Sequence, residues 1–237
     1  MWNGFRSEEF DFQGRKGIVV FPSCPANGKL LYKTEYWNEA PKFEMEMLSR
    51  GYHLCHMDHG NIRWGADPEI RLMAEFITHV MKHYPVGPKC IPVGMSAGGL
   101  QATRFTQMYP ELVEGLYLDN PVLNYLRYTG KSRICADQEI QDWVLREYRM
   151  DADALLTSGM APKDRFDVLT DHKIPVALVY GGKDDVVACE ENSQLLIDHY
   201  QKKQGKIGVF FKPDGLHHPH GLEDCAPLVA FFEELFS

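Results

Sequence analysis

Short apolar runs alternate along the chain with longer segments whose apolar residues recur every three or four positions, the pattern of strands interleaved with amphipathic helices. Residues 9–13 alternate polar and apolar, residues 14–17 turn, and residues 18–21 return, which predicts a hairpin. Pro22, Pro25 and Gly28 then mark a long loop. Residues 40–50 predict a helix ended by Gly51, and residues 52–57 a strand. Asp67-Pro68 predicts a helix start, with Asp67 as cap and Pro68 in the first turn. Ile70, Met73, Ile77, Val80, Met81 and Tyr84 then share one face. Strands are predicted at 90–95, 116–119, 175–180 and 207–211. Helices are predicted at 97–108, 190–204 and 225–236, the last capped by Asp224. This alternation predicts a single α/β domain, 1–237, with a mostly parallel twisted sheet flanked by helices. Between residues 120 and 173 it breaks. A helical, polar-aromatic insertion or lid is expected at about 121–172, between the sixth and seventh strands, with its clearest helix at 137–149.

The sharpest chemical signal is Cys90-Ile91-Pro92-Val93-Gly94-Met95-Ser96-Ala97-Gly98-Gly99-Leu100. It reads as strand, Gly-x-Ser-x-Gly turn, helix. Glycine two residues either side of the serine removes the side chains that would collide across so tight a turn. Such a turn lifts the Ser96 hydroxyl above the sheet and aims the Ala97 N–H and a helix N-terminus at the same point, which suits a developing oxyanion.

A serine needs a base, and a strand–turn–helix serine is followed in the chain by an acid and then a histidine. Residues 176–180 are a buried strand, with Gly181-Gly182-Lys183-Asp184-Asp185 at its C-terminal end, the edge where α/β sheets bind ligands. Residues 209–211 lead to Asp214-Gly215-Leu216-His217-His218-Pro219-His220. Asp184 is the expected acid, with Asp185 its neighbouring competitor. Asp119 is another, although Asp119-Asn120-Pro121 reads more simply as a turn. His217 is the expected base; chemistry alone does not separate it from His218 and His220. His53, His56 and His59, with Cys55 and Asp58, form a second cluster, which together with His217, His218 and His220 could look like a zinc site. No ligand set has recognised zinc spacing, and residues 53 and 56 of a strand face opposite ways, so no metal and no cofactor are expected.

Charge narrows the partners. The 237 residues carry 25 Lys+Arg against 33 Asp+Glu, a net charge of −8, which argues against a nucleic-acid partner tracked along its phosphates. No run approaches the ~20 apolar residues of a membrane helix, so no membrane partner is expected. The N-terminus has no basic segment followed by an apolar one, which predicts a cytoplasmic protein whose six dispersed cysteines stay free, with Cys55 and Cys90 in the core. A homo-oligomer is left open.

With these residues in view, the chain resembles the α/β-hydrolases, in the branch of small bacterial esterase-like proteins associated with carbohydrate-ester removal. The resemblance is carried by residues 94–100, 118–123, 179–187 with Glu191-Asn192, and 217–224, and runs from about Gly17 to Phe232. It implies the α/β-hydrolase fold, with Ser96, Asp184 and His217 on the catalytic positions. Two features depart from it. Pro22-Ser23-Cys24-Pro25 lacks a His-Gly-Gly signature, and no Ser-Trp-Pro follows Leu123. A backbone N–H of Ser23 or Cys24 is expected to join Ala97 in the oxyanion hole. Asn61, Trp143 and His218 are expected to contact substrate. Tyr36, Trp37, Trp64, Tyr125, Tyr128 and Trp143 offer flat stacking surfaces. The expected reaction is hydrolysis of a short-chain carboxylic ester, a small-molecule or carbohydrate ester such as a sugar acetate, through an acyl-enzyme on Ser96. Alternatives are a peptidase or thioesterase with the same triad, and a non-catalytic binding protein of hydrolase fold.

Overall fold

The computed structural model describes residues 1–125 and 131–235. Tyr128 and the last predicted helical residue, Phe236, lie outside the described residues. The strands are β1 (Ser7–Phe12), β2 (Arg15–Val20), β3 (Leu30–Lys33), β4 (His53–Met57), β5 (Ile91–Met95), β6 (Leu116–Asp119), β7 (Val176–Gly181) and β8 (Ile207–Lys212). The helices are α1 (Lys42–Leu48), α2 (Asp67–His83), α3 (Ala97–Met108), α4 (Arg133–Ala136), α5 (Gln138–Tyr148), α6 (Ala152–Thr157), α7 (Phe166–Asp171), α8 (Ser193–Lys203) and α9 (Ala226–Leu235). One eight-stranded sheet runs in the order β1-β2-β4-β3-β5-β6-β7-β8. β1 and β2 are antiparallel to each other and β2 to β4, while the strands from β4 to β8 run parallel.

Successive strand residues feed opposite faces, as the pleat requires. Leu30 and Tyr32 join the layer of α2, α3, α7 and α8, whereas Leu31 joins the layer of α1 and α9. Both faces are therefore covered, and the central strands β3 to β6 are buried along their length. The insertion has its own apolar cluster. Tyr125, Ile134, Val144, Tyr148 and Leu155 close over Trp64, Ala97 and Leu100, so the segment packs onto the helix that follows Ser96.

Three sequence expectations change. The sequence pattern assigns β3 to the loop after Pro22. β3 is four buried residues ending in Lys33, whose ammonium is neutralised inside the protein by Glu44. Asp67 does not cap α2: the cap residue is Ala66, and the Asp67 carboxylate instead takes the Arg104 guanidinium. The helix expected at 40–50 is shorter, Lys42–Leu48. Asp224 does act as expected at the start of α9, where its Oδ1 accepts the Ala226 N–H at 2.9 Å. Cys55 and Cys90 are buried in the core. No helix among the described residues is long and apolar enough to cross a membrane.

Candidate active site

Ser96 sits between β5 and α3 at φ 50° and ψ −121°, backbone angles that an L-residue holds only when its surroundings force them. The forcing contacts are visible. A Cβ on Gly94 would lie 2.5 Å from the Gly98 carbonyl oxygen, and one on Gly98 would lie 2.9 Å from Glu35 Cβ. The Ser96 N–H donates to the Asp119 carbonyl at 3.0 Å, which fixes the turn to the end of β6. The Gly-x-Ser-x-Gly pattern thus packs the serine turn against the loop after β3.

The acid and the imidazole arrive from the ends of β7 and β8, on the same edge. His217 Nδ1–H donates to Asp184 Oδ2 at 2.7 Å, and the Ser96 hydroxyl lies 3.0 Å from His217 Nε2. A carboxylate only accepts, so Nδ1 carries the proton and Nε2 presents its lone pair to the serine. Asp184 is itself fixed: its Oδ1 accepts the N–H groups of Val186 and Val187, both at 2.9 Å. Asp185 is exposed and pairs with Arg133, so the two neighbouring acids are separated by what they touch.

Asp119 is more than a turn residue. It is fully buried, accepts His220 Nδ1–H at 3.1 Å through Oδ1, and accepts the Gly221 N–H at 2.5 Å through Oδ2. Asn120 adds a second clamp on the histidine loop: its amide donates to the His217 carbonyl at 3.1 Å, and its oxygen accepts the Gly181 N–H at 2.8 Å. A polar pair at the end of a strand before proline was the available signal for both, but only the fold shows what they hold.

The expected oxyanion residues Ser23 and Cys24 are in the wrong place. They follow β2, which is antiparallel to β4, with Val20 opposite Leu54 and Gly17 opposite Met57. The end of β2 therefore lies at the edge of the sheet away from Ser96. There the Ser23 N–H donates to the Leu48 carbonyl and the Cys24 thiol lies 3.3 Å from the Ser49 carbonyl oxygen. The loop that does reach the serine follows β3. Within it Tyr36, at φ 53°, faces its phenol toward the Ser96 hydroxyl and the Ala97 N–H. Burial and then the Glu35 carboxylate push the phenol above its ordinary pKa, outweighing Arg63 and the hydrogen-bonding neighbours that pull it down, so at neutral pH it is protonated.

Among the other expected contacts, Trp143 Nε1–H donates to the Asn61 carbonyl at 3.1 Å. These two residues line a cavity of about 490 Å³ with Ile62, Glu139, Arg146 and Glu147, a set that includes no member of the serine–histidine–aspartate chain. His218 is exposed beside His217, with ring centroids 4.8 Å apart. Burial, followed by the neighbouring His220 and His217, holds its imidazole below the ordinary value. Trp64 and Tyr125 are core residues rather than stacking surfaces. Tyr36 and Trp37 line a second cavity of about 270 Å³ with Ile18, Glu35, His56 and Asp58 among its walls. The insertion is latched: the Glu147 carboxylate accepts the N–H groups of Arg63, Trp64 and Ala66, while Arg104 donates to the Tyr148 hydroxyl and the Met160 carbonyl.

No family model matches the chain. Among curated proteins it is similar to protein NDRG4 of Xenopus tropicalis and protein NDRG4-B of Xenopus laevis, each 27% identical over a 114-residue alignment that covers 45% of this chain. The chain covers 27% and 30% of those relatives' lengths, respectively. Among solved structures it is similar to a Pyrococcus horikoshii acylaminoacyl peptidase, with a TM-score of 0.67 and 13% identity over 92% of this chain and 38% of that one. It is also similar to a Staphylococcus aureus protein assigned provisionally as an esterase, with a TM-score of 0.69 and 16% identity over 99% of this chain and 83% of that one. These likenesses speak to architecture: the chain has the α/β-hydrolase fold.

Proposed function

We propose that the chain is a serine hydrolase that transfers an acyl group to water through an ester on Ser96. The observation that carries this reading is the continuous hydrogen-bonded sequence from the Ser96 hydroxyl through His217 to Asp184, at 3.0 and 2.7 Å. In the first half-reaction the Ser96 oxygen attacks the acyl carbonyl while Nε2 of His217 takes its proton. Asp184 keeps the proton on Nδ1 and stabilises the imidazolium. The carbonyl oxygen, now negative, is met by the Ala97 N–H at the start of α3 and by the Tyr36 hydroxyl. His217 then returns its proton to the leaving alcohol. Water repeats the sequence in reverse roles and frees the acid.

The substrate class we favour is a short-chain carboxylic ester, with acetyl on a carbohydrate as its finer form. The cavity that shares Tyr36 with the nucleophile supports a hydroxyl-rich alcohol portion, because Glu35, His56 and Asp58 in its walls are hydrogen-bonding groups. The alternative reading is amide cleavage, favoured by the structural likeness to acylaminoacyl peptidases.

The test is direct. Incubation with a fluorophosphonate should label the chain at one site, and p-nitrophenyl acetate should be turned over; both should vanish in Ser96→Ala. A wild-type chain that neither labels nor turns over would sink the hydrolase reading in favour of a binding protein. Faster turnover of acetylated sugars than of an acylated peptide anilide supports the ester reading; the reverse order supports the peptidase.

A further inference from the structure

The loop after β8 carries three histidines within four residues, and the mechanism uses one of them. One ring nitrogen from each of His217, His218 and His220 lies within 4.8 Å of the other two. Two of the three rings are arranged alike. His217 Nδ1–H is bound to the Asp184 carboxylate, and His220 Nδ1–H to the Asp119 carboxylate. A carboxylate on Nδ1 fixes the tautomer and leaves a basic lone pair on Nε2, which is how proteins orient an imidazole toward a metal. The His217 lone pair is taken by Ser96. The Nε2 of His220 has no hydrogen-bond partner, although the residue is only 6% exposed. A bare lone pair buried in this way is unsatisfied. His218 is exposed and supplies a third ring, 4.7 Å from His220 between centroids.

We propose that these three histidines form an inhibitory site for a borderline divalent cation of the zinc type, coordinated by Nε2 of His217, Nε2 of His220 and one nitrogen of His218. Zinc–nitrogen bonds of about 2.0–2.1 Å place tetrahedral ligands about 3.3 Å apart. The 4.8 Å spread therefore has to contract, and His218 is the side chain with the freedom to close it. A site that must contract binds an offered ion with moderate affinity. Its consequence rests on the hydrolase reading. The ion takes the same lone pair that would receive the Ser96 proton, so the metal-loaded chain holds its base in an unreactive form until the ion is removed.

A rival location has to be separated. His79 and His83 lie one turn apart on α2 with ring centroids 4.2 Å apart, a spacing that also suits a metal. Zinc binding is therefore measured by calorimetry on the full chain bearing Ser96→Ala, His79→Ala and His83→Ala, with cobalt chloride giving the visible spectrum of a nitrogen-ligated ion. One ion per chain is expected, and adding His218→Ala should raise the dissociation constant about tenfold or more. In the otherwise unaltered chain, zinc chloride should slow fluorophosphonate labelling of Ser96, and a chelator should restore it. Binding that ignores the change at 218, or that is lost with residues 79 and 83, overturns the site. Because the binding measurement needs no activity, a chain that binds zinc through His218 but never labels counts against the hydrolase reading alone.

Discussion

Replacing Tyr36 with phenylalanine removes one oxygen from the place where the proposed reaction would develop charge and leaves the ring in position. Under the proposed mechanism two donors among the described residues meet that charge, the Ala97 N–H and the Tyr36 hydroxyl, which lies beside Ser96 and Ala97. Losing one donor of this kind typically lowers kcat by about 10²–10³, or roughly 2.7–4 kcal/mol of transition-state stabilisation. Tyr36→Phe should therefore lower kcat for p-nitrophenyl acetate by that factor. KM should change by no more than a few-fold, because the neutral ground-state carbonyl gains little from the donor. Burial and Glu35 both raise the Tyr36 pKa, so the phenol stays protonated through the working range. The ratio of wild-type to variant kcat should accordingly stay flat between pH 7 and about 9, below the free phenol value. The thermal midpoint should be nearly unchanged, since the ring still packs. A variant that keeps wild-type kcat would show that the oxygen does not serve the transition state. A variant that loses kcat and melting temperature together would show that the tyrosine only supports the loop.

Other substitutions probe the remaining parts. Asp184→Asn should drop kcat by about 10⁴, because the amide no longer enforces the proton on Nδ1 of His217; p-nitrophenyl acetate kinetics read it out. Asp119→Asn removes the charged acceptor for His220 and the Gly221 N–H, and should cost about 1.5–3 kcal/mol in urea unfolding with a smaller fall in kcat than Asp184→Asn. Gly94→Ala forces a Cβ to within 2.5 Å of the Gly98 carbonyl oxygen and should cost about 1–3 kcal/mol while slowing fluorophosphonate labelling. Burial, then His59, pushes the His56 imidazole down to about 4. Its folded pKa lies below the unfolded value of about 6.5, so the unfolded chain takes up the proton first and stability drains as pH falls from 6.5 toward 4. Between pH 7 and pH 5 this amounts to about 2 kcal/mol, which urea midpoints should show in the wild type and lose in His56→Gln.

The candidate site was legible in the sequence where local geometry dictates residue type, and hidden where only the fold supplies the partner. Gly94 and Gly98 announce the turn around Ser96 because a Cβ at either position would collide with its neighbours. The order of serine, aspartate and histidine then follows from strands that run parallel and deliver their C-terminal loops to one edge. β3 gives no such announcement. Leu-Leu-Tyr-Lys is too short for a period to show, and a lysine ends it. That lysine is held inside by Glu44, eleven residues later, and by the Glu39 carbonyl, both folded against its ammonium. Overlooking β3 moves the expected oxyanion loop to residues 22–27, which β2, running the other way, carries to the far edge. The same omission turns Tyr36 from a hydrogen-bond donor into one more aromatic. Asp119 and Asn120 were hidden for a related reason. At the end of a strand before proline they satisfy turn chemistry locally, and their hydrogen bonds to residues 217–221 cross about a hundred positions. A four-residue strand missed at the centre of a sheet thus does more damage to a functional reading than misplaced helix ends, because it decides which loop faces the nucleophile.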